Sequence, residues 1–341
     1  MIKKISIIFF LISYLLPLTS HQVEAAGFDL SVSPPIFQIE LTPPAAVKAQ
    51  KTLTLENTGD DPLLLDVVYK AFRPLGDNGE LEYLKDGESV GNDPYILDKV
   101  SILADDQAVS TINLPPKTKR DYDLAISIPK DEPPGDYYFS LLFVSQASGE
   151  LPQSSVSQAA GAVAVNVLLS IGPKTKTTGS IEDFSTSFFQ AEGPVPFTVK
   201  IKNTSSHFIY PKGQIIITNM FGQNIGKIDL LPVNILSNST RSLPSKEQFV
   251  FAANKNTTNS KQVEQIQRLS TSDQRPLAVW PETFLLGPYT ATLTIALSPE
   301  GPVYTRSIHF IGIPLYILGG FAIVILLLLA ITKRLKHRQQ G

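Results

Sequence analysis

The stretch GESVG, residues 87 to 91, has the spacing of a nucleophile elbow, in which a serine on a sharp strand-to-helix turn attacks a carbonyl carbon. Ser89 would be that nucleophile, and it would need a histidine to take its proton. Away from the two ends of the chain only His207 and His309 are available. His309 stands a few residues before a long apolar run, and His207 follows a polar loop. Ser89 itself lies in LKDGESVGNDP, a turn-rich stretch with no apolar run on either side, so it reads as a loop residue and the chain as a non-enzyme. Asp60, Asp61, Asp77, Asp105 and Asp106 offer the oxygen ligands Ca²⁺ prefers, but they lack the spaced set and terminal bidentate glutamate of a calcium loop. They read as solvated turn residues. No catalytic, cofactor-binding or metal-ligating residue is assigned, and no cofactor is expected.

What remains to be positioned is a binding surface, and the composition limits its kind. Cysteine is absent, which excludes disulfides, thiolate catalysis, Cys-based zinc sites and a lipid-modified cysteine anchor. Stability must come from apolar cores. Lys3, Lys4, Lys333, Arg334, Lys336 and Arg338 lie at the chain ends, whereas Glu24 is the one acid there. The stretch between is mildly acidic, which argues against nucleic acid as a partner.

The ends read as targeting segments. Lys3 and Lys4 precede an apolar run from Ile5 to Leu16, and Val23-Glu24-Ala25 is a small-x-small cleavage pattern. Residues 1–25 are therefore expected to be a secretory signal; the alternative, an uncleaved anchor, has a run shorter than the ~20 residues a bilayer needs. IPLYILGGFAIVILLLLAIT, 313–332, carries no charge and is followed at once by basic residues. A transmembrane helix over 311–332 with a cytoplasmic basic tail, 333–341, is the expectation, and everything before it faces outward. Contact with the lipid bilayer follows.

Between the ends the chain repeats itself. KTLTLENTGD (51–60) and FTVKIKNTSS (197–206) each alternate apolar and polar residues before a polar break. Period 2 is that of a strand with one buried face, so Leu53 and Leu55 match Val199 and Ile201, and Asn57 matches Asn203. A second echo sets Gly135 and Tyr137 beside Gly287 and Tyr289, each pair leading into an alternating strand. Such a tyrosine buries its ring at a corner while its hydroxyl reaches a loop carbonyl. Further strand candidates cover 63–72, 110–116, 122–129, 162–172, 178–188, 213–222 and 301–310. Short strands with frequent turns indicate sandwiches. The fold class is all-β: two tandem immunoglobulin-like β-sandwiches, 26–173 and 174–310. The second carries a long Asn/Ser-rich insertion at about 237–279, with a short amphipathic helix at 260–269. Sequons at Asn203, Asn238 and Asn256 matter only in a host with N-glycosylation.

The opening FDLSVSPPIFQIELTPPAAVKAQKTLTLENTGDDPL, then INLPPKTKRDYDLAISIPKDEPPGDYYFSLLF, then LLGPYTATLTI, one span and a basic tail resemble the WxL-interacting proteins of bacterial cell surfaces. That resemblance implies a first domain that contacts peptidoglycan and a WxL-type surface protein as partner; the insertion is then the expected protein-binding part. The function expected is that of a membrane-anchored binding or scaffolding protein of the cell envelope. The alternative is a tethered envelope chaperone or assembly factor of the PapD type, which would cap client strands by β-augmentation.

Overall fold

The computed structural model describes residues 29–41, 47–85, 96–130, 132–146, 161–173, 176–246, 276–314, 316 and 325–328. Ser89, the expected signal, the helix at 260–269 and the basic tail lie outside the described residues. Apart from a 3₁₀ turn at Leu97–Lys99 and helical residues at 246, 316 and 325–328, the described residues are strands and their connections.

The first sandwich contains β1 (Leu30–Ser33), β2 (Ile36–Leu41), β3 (Val47–Asn57), β4 (Leu63–Leu75), β5 (Glu80–Tyr83), β6 (Val100–Ala104), β7 (Gln107–Val109), β8 (Thr111–Leu114), β9 (Lys119–Ile128), β10 (Gly135–Ser145) and β11 (Ala162–Ile171). One sheet runs β1-β3-β9-β6-β7, and the facing sheet β2-β11-β10-β4-β5, with β8 also on β4. Period 2 decides which side chains meet between them. Leu53 and Leu55 are fully buried, while Thr52 and Thr54 face outward and bond to Asp123 and Asp121 on the neighbouring strand. Fully burying one such leucine is worth about 1.5–3 kcal/mol.

The second sandwich contains β12 (Gly179–Ser185), β13 (Phe189–Gln190), β14 (Val195–Asn203), β15 (Lys212–Asn219), β16 (Asn224–Asp229), β17 (Thr240–Ser242), β18 (Ala278–Trp280), β19 (Gly287–Ala296) and β20 (Val303–Gly312). Its sheets are β12-β14-β17, with β18 also on β14, and β13-β20-β19-β15-β16. Val199 and Ile201 are fully buried, matching Leu53 and Leu55.

The repeat extends to topology. In each half the first strand pairs antiparallel with the echo strand (β1 with β3, β12 with β14). The next segment crosses to the other sheet and runs parallel to the last strand (β2 with β11, β13 with β20). Two separate apolar cores result, one per half. Both corner tyrosines are in place: Tyr137 OH donates to Pro133 O at 2.8 Å, and Tyr289 OH to Leu286 O at 3.2 Å. Gly287, at φ +98°, makes a corner a side chain would strain.

Two expected boundaries change. The ends of the supposed insertion belong to the sandwich. Thr240–Ser242 pairs with β14, and Leu243, Ala278, Val279 and Trp280 are buried, because both short segments pair with β14 and complete its sheet. β20 continues to Gly312, so Ile311 and Gly312, expected to open the membrane helix, are held as strand opposite Pro288 and Gly287. Among the described residues no helix is long and apolar enough to cross a membrane.

Candidate functional site at the junction of the two sandwiches

The two halves meet through side chains that neither core uses. Phe72, Tyr138 and Leu168, on the outer face of the first sandwich's second sheet, bury themselves against Phe208 and Leu236. Phe72 and Tyr138 stack with ring centroids 6.1 Å apart. Polar contacts fix the angle. Tyr138 OH donates to Asp136 Oδ2 (2.6 Å) and accepts from Ser237 N–H (3.1 Å), and Phe208 N–H donates to the same Asp136 oxygen. On the far side the β4–β5 turn reaches over. Ser242 N–H donates to Asp77 O at 2.7 Å, and Lys200 Nζ stands 2.5 Å from Asp77 Oδ2.

Beside this contact lies a pocket of about 320 Å³. It is lined by apolar Phe72, Leu81 and Leu168 from the first sandwich and Leu236 from the second, and by polar Gln38, Asn166, Tyr210, Asn234 and Arg241. Arg241 lies over Gly79, where any Cβ would collide with the guanidinium, and donates to Asn234 O at 3.0 Å. Burial lowers the Arg241 pKa from the ordinary guanidinium value. No carboxylate pairs with Arg241 among the described residues. The pocket thus combines a partly buried cation, amides and apolar side chains, at the lower end of the size range of small-ligand sites.

The pocket borders a sheet edge. Asn166 N–H donates to Pro35 O and Gly172 N–H to Leu41 O, so odd positions of β2 bond to β11 and even positions point away. Ile36 and Gln38 therefore turn their backbone groups outward, and both side chains line the pocket. β11 begins four residues before its pairing with β2, and among the described residues no strand pairs with the backbone of Ala162 and Ala164 along the same edge. Other edges carry protective features. β5 has Glu80 and Glu82, β12 a bulge at Ile181/Asp183, β16 Lys227 and Asp229, and β1, β7, β13, β17 and β18 are four residues or fewer. Charge, bulges and brevity are what discourage strand pairing; the β2/β11 edge has none of them at these four positions.

The residues singled out by type are elsewhere. His207 is buried and its carbonyl accepts from Asn203 Nδ2, while its ring Nε2 lies 3.3 Å from Thr177 Oγ1. His309 sits on β20 with Nδ1 2.9 Å from Thr290 Oγ1. Asp105 and Asp106 both have positive φ, as a two-residue hairpin turn requires. Asp60 pairs with Lys117 on the surface, and the Asp61 carbonyl accepts from Asn57. Asp77 is the exception, a turn residue used in docking. Tyr138, the junction's central aromatic, stands next to the corner tyrosine on the opposite face of β10, where nothing in the sequence marks it as a contact residue. Of the sequons, Asn203 is fully buried with its amide bonded.

No family model and no curated protein matches the chain. Solved structures with a similar layout include the class 5 fimbriae chaperone CfaA, at 11% identity over 84% of this chain and 99% of that one with a TM-score of 0.35. Others are the Pseudomonas aeruginosa CupB2 chaperone (8%, 81% and 98%, TM-score 0.33) and the E. coli chaperone DraB (10%, 82% and 98%, TM-score 0.34). Likeness this distant carries no functional inference. The immunoglobulin-like assignment rests on the strand order above.

Proposed function

We propose that the chain is an extracytoplasmic binding protein, tethered by 313–332 with its C-terminus in the cytoplasm, that takes up a partner protein as an added strand on the β2/β11 edge. The outward-turned backbone of Ile36, Gln38, Ala162 and Ala164 beside the junction, uncharged at these positions and paired with no strand among the described residues, carries this reading. A partner strand gains main-chain hydrogen bonds there, and its alternate side chains reach the pocket. This is the mode of a tethered assembly factor or scaffold; a WxL-type surface protein is the partner the sequence resemblance implies.

Ala164→Pro tests it. The Ala164 N–H points off the edge, so proline there removes a donor for the partner while β11 keeps its bonds to β10. Envelope proteins cross-linked to the intact chain should be lost with Ala164→Pro and kept with Lys227→Pro on the β16 edge. Equal recovery with both variants would remove the edge from the account.

The pocket favours a second reading, wall contact. Arg241 with the amides of Gln38, Asn166 and Asn234 suits the carboxylates and hydroxyls of peptidoglycan. Binding of purified wall that is abolished by Arg241→Met and unchanged by Ala164→Pro would select it.

A further inference from the structure

The chain leaves the second sandwich among exposed apolar side chains. Register places Phe189 opposite Ile311, Gly287 opposite Gly312 and Asn219 opposite Tyr289. The β12–β13 connection, the β15–β16 turn and the loop before β19 therefore gather at the end where β20 finishes. A Cβ on Gly287 would sit 3.5 Å from Met220 Sδ. On these connections Phe188 is 65% exposed, Phe189 45%, Met220 60%, Phe221 77%, Phe284 49% and Leu286 57%. Single exposed apolar residues are ordinary, whereas a gathered set marks a contact surface. The segments 186–192, 219–224 and 281–287 contain no lysine or arginine. The chain after Gly312 then enters the uncharged 313–332. The junction lies at the other end, where Lys212 pairs with Ala296 just after Phe208 and Tyr210.

We propose that this end of the second sandwich is seated in the interfacial layer of the lipid bilayer, with Phe188, Phe189, Met220, Phe221, Phe284 and Leu286 among headgroups and upper acyl chains. The inference rests on the tethered reading. The apolar patch surrounds the point where the spanning segment departs, so the segment's entry into lipid brings the patch to the surface at no further cost in translational freedom. Loops are tolerated at that depth because their backbone groups still reach water, as they would not in the hydrocarbon. Phenylalanine and leucine side chains bury their apolar area at the boundary between headgroups and acyl chains. Seating fixes the sandwich upright and holds the junction and the β2/β11 edge away from the membrane.

The absence of cysteine makes the test direct. A single cysteine is introduced in the full chain by Phe221→Cys, Leu327→Cys or Glu300→Cys and carries an environment-sensitive fluorophore. The protein is reconstituted in phosphatidylcholine–phosphatidylglycerol vesicles with nitroxide lipids quenching near the headgroup or near the chain end. The label at 327 should be quenched by the deep nitroxide, the label at 221 by the shallow one, and the label at 300 by neither. Quenching at 327 with 221 indistinguishable from 300 overturns the seating and leaves the tether standing. Absence of quenching at 327 overturns both.

Discussion

Asn57 and Asn203 hold one position in two sandwiches. Each ends an echo strand fully buried. Asn57 Nδ2 donates to the carbonyls of Asp61 (2.8 Å), Leu114 (3.1 Å) and Pro115 (3.1 Å), and Asn203 Nδ2 to those of His207 (2.8 Å), Ile235 (3.1 Å) and Leu236 (3.0 Å). Each Oδ1 accepts the N–H two residues on, from Gly59 and Ser205, at 2.9 Å. One side chain thus ties two loops to a strand end, satisfying carbonyls that burial would otherwise leave costly.

Asn57→Asp and Asn203→Asp should each remove about 3 kcal/mol or more, since a carboxylate donates nothing and faces three carbonyl oxygens. Trp280, the single tryptophan, is buried in the second core and reports that half alone. In urea titrations Asn203→Asp should lower the tryptophan midpoint, whereas Asn57→Asp should lower a circular-dichroism transition while leaving the tryptophan midpoint in place.

Leu55→Ala should cost about 2–5 kcal/mol, because the side chain is wholly within the first core. Thr54→Ala on the opposite face should stay within about 1 kcal/mol, the worth of an exposed hydrogen bond to Asp121. Equal costs would mean the strand does not bury one face.

These strand faces were legible because period 2 leaves a plain record in KTLTLEN and FTVKIKN, and because Gly-x-Tyr marks a corner by chemistry no other residues supply. The junction was not. Phe72, Tyr138 and Leu168 sit on the outward face of strands whose inward faces already explain the pattern, and nothing local distinguishes an outward residue meeting water from one meeting a second domain. Thr240–Ser242 and Ala278–Trp280 were hidden for a different reason: three-residue strands beside a long polar stretch are too short to show a period. The β2/β11 edge depends on where one strand stops against another, which is a property of the sheet.

Gly79→Ala should loosen the junction. Its φ of +88° disfavours a side chain, and the new Cβ would displace the Arg241 guanidinium. Small-angle scattering should show a larger radius of gyration with both cores still folded; an unchanged radius would mean the turn does not hold the two halves.

Asp123 accepts from Thr52 Oγ1 and Gln50 Nε2, which lowers its pKa below the ordinary carboxylate value. A depressed folded-state pKa stabilises above the unfolded value, and that contribution is lost as pH falls through the folded one. Thr52→Val should raise the Asp123 pKa in an NMR titration and move the acid edge of first-sandwich stability to higher pH. Unmoved chemical shifts would show that the hydroxyl is not bonded.

Amide hydrogen exchange of the intact chain with and without its captured partner tests the central claim most directly. Strand addition predicts that the N–H groups of Ile36, Gln38, Ala162 and Ala164 slow together on binding, while those of β16 do not change. A partner that binds with these four amides exchanging as before, or that protects β16 instead, would contradict the account.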